Sequence, residues 1–235
     1  MLNAPRIPEL AQRDRFVRRA VAEGRVLTLA DEENASVPSQ KVAGRTVQLF
    51  WSSPIEAGRW AEALAGNREL QDISLEVFAT DLLPGIATAK GFVGTDWVSD
   101  PIEAEIDPRD LLIRLKTEAI PHYANAARER REVYLVGNAE GPMLTPGSQK
   151  PRTPERLHVF ATRADAEAHM KKISGKRVIV DPLPNFIGAT LPWAAAGKYP
   201  VMIEPIRGAG FVEVKPPELT ARLTEDAAEG VIKTA

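Results

Sequence analysis

Apolar residues near the start of the chain have first the spacing of a helix and then that of a strand. Four of them recur on one helix face: Phe16, Val17, Ala20 and Val21. Gly24 ends this predicted helix, and an apolar run from Val26 begins a strand. The same order returns 107 residues later, where Tyr123 corresponds to Phe16 and Val133 to Val26. The pattern therefore predicts a helix-to-strand unit that occurs twice.

A second matched pair consists of an apolar strand followed by a capped helix. Ser53 and Glu56 have the spacing of a capping box, in which each side chain accepts a hydrogen bond from the backbone N–H of the other residue. At a shift of 109 residues, Thr162 and Asp165 repeat this spacing. Small apolar residues follow both caps, which predicts two helices that each pack on a sheet.

Two further segment pairs complete the pattern. EIDPRDLL and EVKPPELT both place proline at the start of a helix, and Asp107 is the predicted N-cap of the first. The pair formed by residues 72–86 and 176–193 is looser, and the proline density of the later segment argues against a long helix there. RGAG at residues 207–210 predicts a hairpin turn.

Four matched segments in the same order predict a tandem duplication of one small domain. Residues 1–120 form the first copy and residues 121–235 the second, diverged copy, with Pro121 between two helices at the boundary. Short strands alternate with helices, and several connections are too short for parallel crossovers. The predicted fold is α+β, with two similar two-layer domains, each a small mixed or antiparallel sheet with helices packed on it.

The segments VQLFWSSPIEAGRWAEAL and ISLEVFATDLLPGI resemble the bacterial family known as domain of unknown function 2750 over residues 13–118. The residues that carry this match are Trp51, Ala57, Phe78, Leu82 and Leu83. The second copy has Phe160 in place of Trp51, and its HVFATRADAEAHM and VEVKPPEL resemble the amino-terminal domain of SseB-like proteins. Both resemblances imply a bacterial protein of this fold, and neither supplies catalytic residues.

Composition and charge narrow the classes of partner. Residues 1–120 carry 14 Lys and Arg against 19 Asp and Glu, a net charge of −5, and residues 121–235 carry 16 against 13, a net charge of +3. Neither half is basic enough to favour nucleic acid. No apolar stretch spans a bilayer, so we expect no membrane partner. Without a secretory signal or a cysteine, the sequence predicts a cytoplasmic protein.

The chain offers few residues for catalysis. Its three histidines are His122, His158 and His169, and none has the spacing of a metal-ligand pair. We interpret His158 as a half-buried strand residue and His169, which corresponds to Trp60, as rim packing. No G-x-S-x-G motif marks a nucleophile. The sequence therefore predicts no metal and no cofactor, and favours a protein that is not an enzyme.

Two groups of residues are candidates for binding. The acidic group comprises Asp31, Glu32 and Glu33, which would bind a cation or a basic partner if they were more than a solvated loop. The aromatic group comprises Trp97 and Trp193, which fall in predicted loops and would either fill a core or anchor an interface.

We therefore expect a protein–protein interaction module, with an immunity or chaperone-like role, that binds another protein and is itself a monomer or homodimer. The alternative is a small-molecule binding protein or enzyme with a pocket between the two domains. Four residues would line that pocket in the alternative: Asp81, Trp97, His169 and Trp193.

Overall fold

The computed structural model describes residues 7–30, 35–63, 69–97, 104–146, 154–173 and 177–224. The chain divides into two compact units, Met1–Glu118 (unit 1) and Ala119–Ala235 (unit 2).

Unit 1 begins with a long helix, and its strands then alternate with shorter helices. Its elements are α1 (Ile7–Glu23), β1 (Arg25–Leu29), β2 (Ser36–Pro38), β3 (Thr46–Phe50), α2 (Pro54–Ala63), β4 (Leu70–Ser74), α3 (Leu75–Val77), a π-helical turn (Phe78–Leu82), α4 (Leu83–Thr88), β5 (Phe92–Thr95) and α5 (Pro108–Glu118).

Unit 2 has the same succession with two additional short strands. Its elements are α6 (Ile120–Arg130), β6 (Glu132–Asn138), β7 (Gly141–Pro142), β8 (Leu144–Thr145), β9 (Arg156–Phe160), α7 (Arg163–Ile173), β10 (Arg177–Pro182), α8 (Leu183–Asn185), a π-helical turn (Phe186–Thr190), α9 (Leu191–Ala196), β11 (Val201–Ile203), β12 (Val212–Val214) and α10 (Pro216–Thr224).

The sheets of the two units have corresponding strand orders. In unit 1, β4 pairs with β1 and β3 pairs in parallel with β5, while an isolated antiparallel bridge between Leu27 and Trp51 joins β1 to the end of β3. In unit 2 the order is β10-β6-β9-β11-β12, and β9 and β11 form the parallel pair. Each unit thus combines helices with antiparallel and parallel strand pairs, so the predicted α+β class is confirmed.

The sheet of unit 2 is covered by helices on both faces. Residues of β6 are buried along almost the whole strand, as expected for a strand with two covered faces. Leu135 packs on the side of α6 and α10, whereas Tyr134 packs with Phe160 and Ala166 on the side of α7. The sequence predicted two layers, one of helices and one of strands. Helix α7 forms a third layer on the other face of the sheet.

The helix ends follow the predicted capping chemistry. Gly24 ends α1 with a φ of 68°, and Arg131 ends α6 with a φ of 59°, so both units use a left-handed residue before the first strand. Asp107 accepts a hydrogen bond from the Arg109 backbone N–H at 2.8 Å and caps α5. Thr162 Oγ1 accepts a hydrogen bond from the backbone N–H of Asp165, as the capping box of α7 requires.

The expectation against a long helix in the proline-rich segment of unit 2 is wrong. Residues 183–196 are helical without a break, because a π-helical turn separates two α-helical pieces. In that turn the Leu191 backbone N–H donates to the Phe186 carbonyl, and Pro192 follows directly. The wider turn accommodates the proline ring, which would break a regular α-helix. Unit 1 uses the same arrangement with Pro84 after Leu83.

Candidate functional site

The helical segment 183–196 of unit 2 presents an unusual outer face. Its inward face packs in the core through Leu183, Phe186 and Leu191. Its outward residues include Asn185, Gly188, Ala189, Pro192, Trp193 and Ala196, which we call the Trp193 surface. The chain has no charged residue from position 182 to position 197. Exposed helix faces ordinarily carry charged or polar residues, so this face departs from the pattern of a solvated helix.

The corresponding helical segment of unit 1 has a different outer face. Residues 75–88 align with residues 183–196 at a constant shift of 108, and Glu76 and Asp81 lie exposed there. Gly85 occupies the position of Trp193, and Asp81 that of Ala189. The same helix is thus acidic in unit 1 and uncharged, with one large aromatic side chain, in unit 2.

Trp193 lies against Tyr199 at the end of α9. Its side chain is 43% exposed, and the two ring centroids are 5.3 Å apart with an interplanar angle of 48°. Gly197 is required between them, because a Cβ atom at this position would clash with the Tyr199 ring. The two rings therefore pack against each other at an angle, and Trp193 stays partly exposed to solvent.

Trp97 was also a predicted binding residue, and the structure places it in the core of unit 1. Only 2% of its surface is exposed, and its ring centroid lies 6.3 Å from that of Trp60. The Trp97 carbonyl accepts a hydrogen bond from the Trp51 indole at 2.8 Å. In this position Trp97 presents no surface to a partner. Of the two interpretations, its burial fits the one in which it fills a core.

The structure describes only some of the remaining predicted residues. Asp31, Glu32 and Glu33 lie outside the described residues. Asp81 is exposed on the unit 1 helix, and His169 is half-buried on α7. Trp97 is thus a core residue of unit 1, whereas Trp193 is exposed on unit 2.

Two histidines form a stack beneath α7 in unit 2. The rings of His158 and His169 have centroids 4.7 Å apart and an interplanar angle of 21°, and Phe211 packs edge-on against both. His158 Nδ1 and His169 Nε2 are buried without a hydrogen-bond partner among the described residues. Burial lowers the pKa of His158 to about 4, and the charges of His169 and Arg156 add to this effect.

The same cause acts on the second ring. Burial lowers the pKa of His169, with a further contribution from Lys172. Both imidazoles are therefore neutral near pH 7. Two nearly parallel rings do not point their in-plane lone pairs at a common point, so the stack is not arranged to chelate a metal. No cluster of three or more metal-ligating side chains occurs in the part of the chain that the structure describes.

Unit 1 contains a fully buried acid at the end of β5. The Asp96 carboxylate accepts hydrogen bonds from the Ser52 backbone N–H at 2.6 Å and from the Ser52 hydroxyl at 2.8 Å. Burial raises the Asp96 pKa, an effect that the Ser52 hydrogen bonds oppose. The Gln12 amide donates to the Asp96 carbonyl at 2.7 Å and so ties α1 to this loop. These contacts stabilise the local structure, because both carboxylate oxygens already accept hydrogen bonds.

An open groove of about 900 Å³ lies between α1 and α5 of unit 1. Its walls carry both signs of charge, and Arg114 lies 3.7 Å from Asp14 across it. Since acidic and basic side chains alternate along the groove, it does not select an anionic or a cationic ligand.

One sequence signal for these sites was missed. Both helical segments contain the pattern Leu-x-x-Phe-x-x-x-x-Leu-Pro, from Leu75 and from Leu183, at the same shift of 108 residues. An alignment on this pattern places Trp193 opposite Gly85 and shows that only the second segment lacks charge. The looser pairing of residues 72–86 with residues 176–193 does not show this correspondence.

The comparisons with known proteins extend this description only slightly. A family described as a protein of unknown function, DUF2750, matches residues 13–115, which lie within unit 1 and make up less than half of the chain. This match supports the resemblance drawn for the first copy, while the resemblance of the second copy to SseB-like proteins stays a prediction. No curated protein matches the chain.

Two solved structures are similar over most of their length. Anabaena Tic22, described as a protein transport protein, has 10% sequence identity and a TM-score of 0.24, covering 82% of this chain and 92% of that chain. Tic22 from Plasmodium falciparum has the same identity and TM-score and is covered over 93% of its length. A likeness at this level carries no functional inference. No helix in the described ranges is both long and apolar enough to cross a membrane.

Proposed function

We propose that this chain is a non-enzymatic protein–protein interaction module that binds another protein through the Trp193 surface. The observation that carries the proposal is the exposed Trp193 on a helix face whose own residues carry no charge. Tryptophan is enriched among the residues that dominate binding energy, and charged residues are depleted at interface centres. An exposed indole surrounded by small uncharged residues fits that composition.

The proposal also gives a reason for the difference between the units. If the chain arose by tandem duplication, with residues 1–120 and 121–235 as the copies, unit 1 retains a solvated helix face and unit 2 has a face suited to a partner. The corresponding strand orders and the shared π-helical turn support a common origin. The second copy would be the SseB-like one, in a cytoplasmic bacterial protein with an immunity or chaperone-like role.

The test is a quantitative affinity purification from the native host with matched variants. Trp193→Ala removes the central side chain, and Ala189→Asp introduces the acid that unit 1 carries at the corresponding position. Val77→Ala is the control, because Val77 is 44% exposed on the unit 1 helix, nearly the same fraction as Trp193. Retained proteins are identified and quantified by mass spectrometry.

We expect one protein to be retained at fixed stoichiometry by the unmodified chain and by Val77→Ala, and to be lost from both unit 2 variants. Loss from all three variants would indicate a general effect on folding, which circular dichroism of each variant detects. If every retained protein bound Trp193→Ala and Ala189→Asp as well as the unmodified chain, the Trp193 surface would not be the binding site.

A further inference from the structure

We infer that a second copy of this chain pairs with the outer edge of β10 and forms an antiparallel homodimer. The inference goes beyond the proposed function, because it concerns a different surface of unit 2 and does not require Trp193 to bind a partner. Three features of β10 carry it: backbone groups that point outward, apolar side chains along the edge, and a buried carboxylate for which a second copy supplies a cation.

Strand β10 lies at the end of the unit 2 sheet, with β6 on one side. No strand in the described ranges pairs with its other side. The Leu183 backbone N–H donates to the Arg131 carbonyl at 2.8 Å, which fixes the alternation of hydrogen bonds in the ladder with β6. Every second residue of an antiparallel strand turns its N–H and C=O away from the neighbouring strand, so Val178 and Val180 point these groups outward. Such an edge is a template for a further strand.

The edge of unit 2 lacks the charge that protects the corresponding edge of unit 1. Strand β4 aligns with β10 at the shift of 108 residues, and Asp72 of β4 lies exposed at the position of Val180. Val180 is itself 37% exposed. A charged residue on an edge strand opposes pairing with another chain, since pairing would bury the charge. The β4 edge is therefore protected, whereas the β10 edge is open to a second strand.

The sequence of β10 is complementary to a second copy of itself. A two-fold axis at Ile179 places Val178 opposite Val180 of the second copy, so that the outward N–H and C=O groups of both residues pair. The same register places Arg177 opposite Asp181 of the second copy, on both sides of the axis. The two-fold arrangement thus satisfies the backbone groups and brings opposite charges together.

The end of the strand argues against a shifted register. An axis at Val180 would place Pro182 opposite Val178, and proline has no N–H to donate. It would also remove the pairing of opposite charges. The axis at Ile179 is therefore the register that the strand favours.

Asp181 gives this register its charge complementarity. The residue is 4% exposed, and its carboxylate accepts hydrogen bonds from Asn185 Nδ2 and Thr190 Oγ1, both at 2.6 Å. Neither donor is charged, and Asp181 has no ion pair with another described residue. Burying a carboxylate is costly without a cation nearby. In the dimer, the exposed Arg177 of the second copy supplies that cation.

Sedimentation velocity of the purified full chain over a range of concentrations measures the association. Strand β10 has 6 residues, which gives an interface at the small end of specific complexes, so we expect a reversible dimer. Val180→Asp introduces the acid of unit 1, and Arg177→Glu sets two acids opposite each other; each should weaken dimerisation at least about tenfold. Val77→Asp, at a residue 44% exposed in unit 1, is the matched control and should leave dimerisation unchanged.

Disulfide formation tests the register, because the chain has no cysteine of its own. In the proposed dimer Ile179 faces its own copy, with Cα atoms about 4.5 Å apart, a separation that a disulfide bridges. The two Val180 residues are diagonal neighbours, about 7 to 8 Å apart, which is beyond that range. Under mild oxidation, Ile179→Cys should therefore give a covalent dimer faster than the more exposed Val180→Cys.

Three results would overturn the inference. The chain could be a monomer at every concentration, Val180→Asp and Arg177→Glu could associate as strongly as the unmodified chain, or Val180→Cys could crosslink as fast as Ile179→Cys. Circular dichroism verifies that each variant is folded. The crosslinking rates do not depend on the two weakening variants, so the register is tested even if one of those fails to fold.

Discussion

The two units place their tryptophan residues in opposite ways. Unit 1 buries Trp51 and Trp97, and the half-buried Trp60 of α2 packs against both rings. Unit 2 has His169 at the position of Trp60, beneath α7, and carries its one tryptophan on the surface at position 193. Corresponding strand orders thus support buried tryptophans in one unit and an exposed tryptophan in the other.

This difference distinguishes tryptophans that pack in a core from a tryptophan that is available for binding. A buried tryptophan contributes mainly through the apolar area it removes from water, and its loss leaves a cavity. An exposed tryptophan contributes little to folding and is available to a partner. Four changes should affect the stability of the two units unequally. They are ordered from the largest expected loss of stability to the smallest.

Trp97→Ala will destabilise the chain the most. The side chain is 2% exposed and contacts the Trp60 ring, so its removal leaves a cavity in unit 1 that costs about 3 to 5 kcal/mol. Urea unfolding followed by circular dichroism measures the change. A loss below about 1 kcal/mol would mean that Trp97 is not the core residue described here.

Asp96→Ala will have the next largest effect, about 2 to 3 kcal/mol. It leaves the buried Ser52 N–H and hydroxyl without their acceptor, and it places alanine at a φ of 53°, where asparagine and glycine are tolerated better. Asp96→Asn is the matched control, since it keeps one carbonyl oxygen and removes the buried charge.

At about pH 7, Asp96→Asn should be clearly more stable than Asp96→Ala. The direction follows because the asparagine carbonyl still accepts one of the two Ser52 hydrogen bonds, and asparagine tolerates the φ of 53° better than alanine. If Asp96→Asn were as unstable as Asp96→Ala, the negative charge itself would be needed in this loop.

Mild acid will weaken unit 2 through the histidine stack. Between about pH 6.5 and pH 4 the unfolded chain takes up protons on His158 and His169 that the folded chain does not, so the free energy of unfolding falls as the pH falls. Glu204, whose pKa burial raises, acts in the opposite direction. Unit 1 has no histidine and lacks this contribution.

The double variant His158→Leu and His169→Trp isolates the stack, because it installs the apolar residues of unit 1 and leaves Glu204 unchanged. Urea unfolding at about pH 7 and about pH 5 should show a smaller loss of stability for this variant than for the unmodified chain. Equal losses would mean that the two rings do not titrate differently in the folded and unfolded states.

Trp193→Ala will have the smallest effect on folding, about 1 kcal/mol or less, because nearly half of the side chain already lies in water. The same urea experiment measures it. A loss as large as that of Trp97→Ala would place Trp193 in the core and remove the contrast between the units.

The sequence predicted those features that depend on local spacing. The α1 stripe, the stop at Gly24, the cap at Asp107 and the α+β class all follow from periodicity and capping chemistry. The continuous helix through Pro192 was not foreseen, because a π-helical turn is set by tertiary packing and has no simple sequence period.

Only part of the candidate site could be predicted from the sequence, for a similar reason. Trp97 and Trp193 look alike in sequence, each in a segment near glycine or proline, and only the structure assigns one to the core and the other to solvent. The stack of His158 on His169 joins a strand to a helix, so residue spacing alone did not indicate it. The uncharged run 182–197 is visible in the sequence, although no prediction was based on it.

Photo-crosslinking at matched positions tests the central claim most directly. The photoreactive residue p-benzoylphenylalanine is introduced at Ala189 on the Trp193 surface or at Asp81, the corresponding exposed position of unit 1, and each protein is irradiated in its native host. We expect a discrete crosslinked partner from position 189 that disappears with Trp193→Ala, and none from position 81. Crosslinks from position 81 alone, or identical products from both positions, would contradict it.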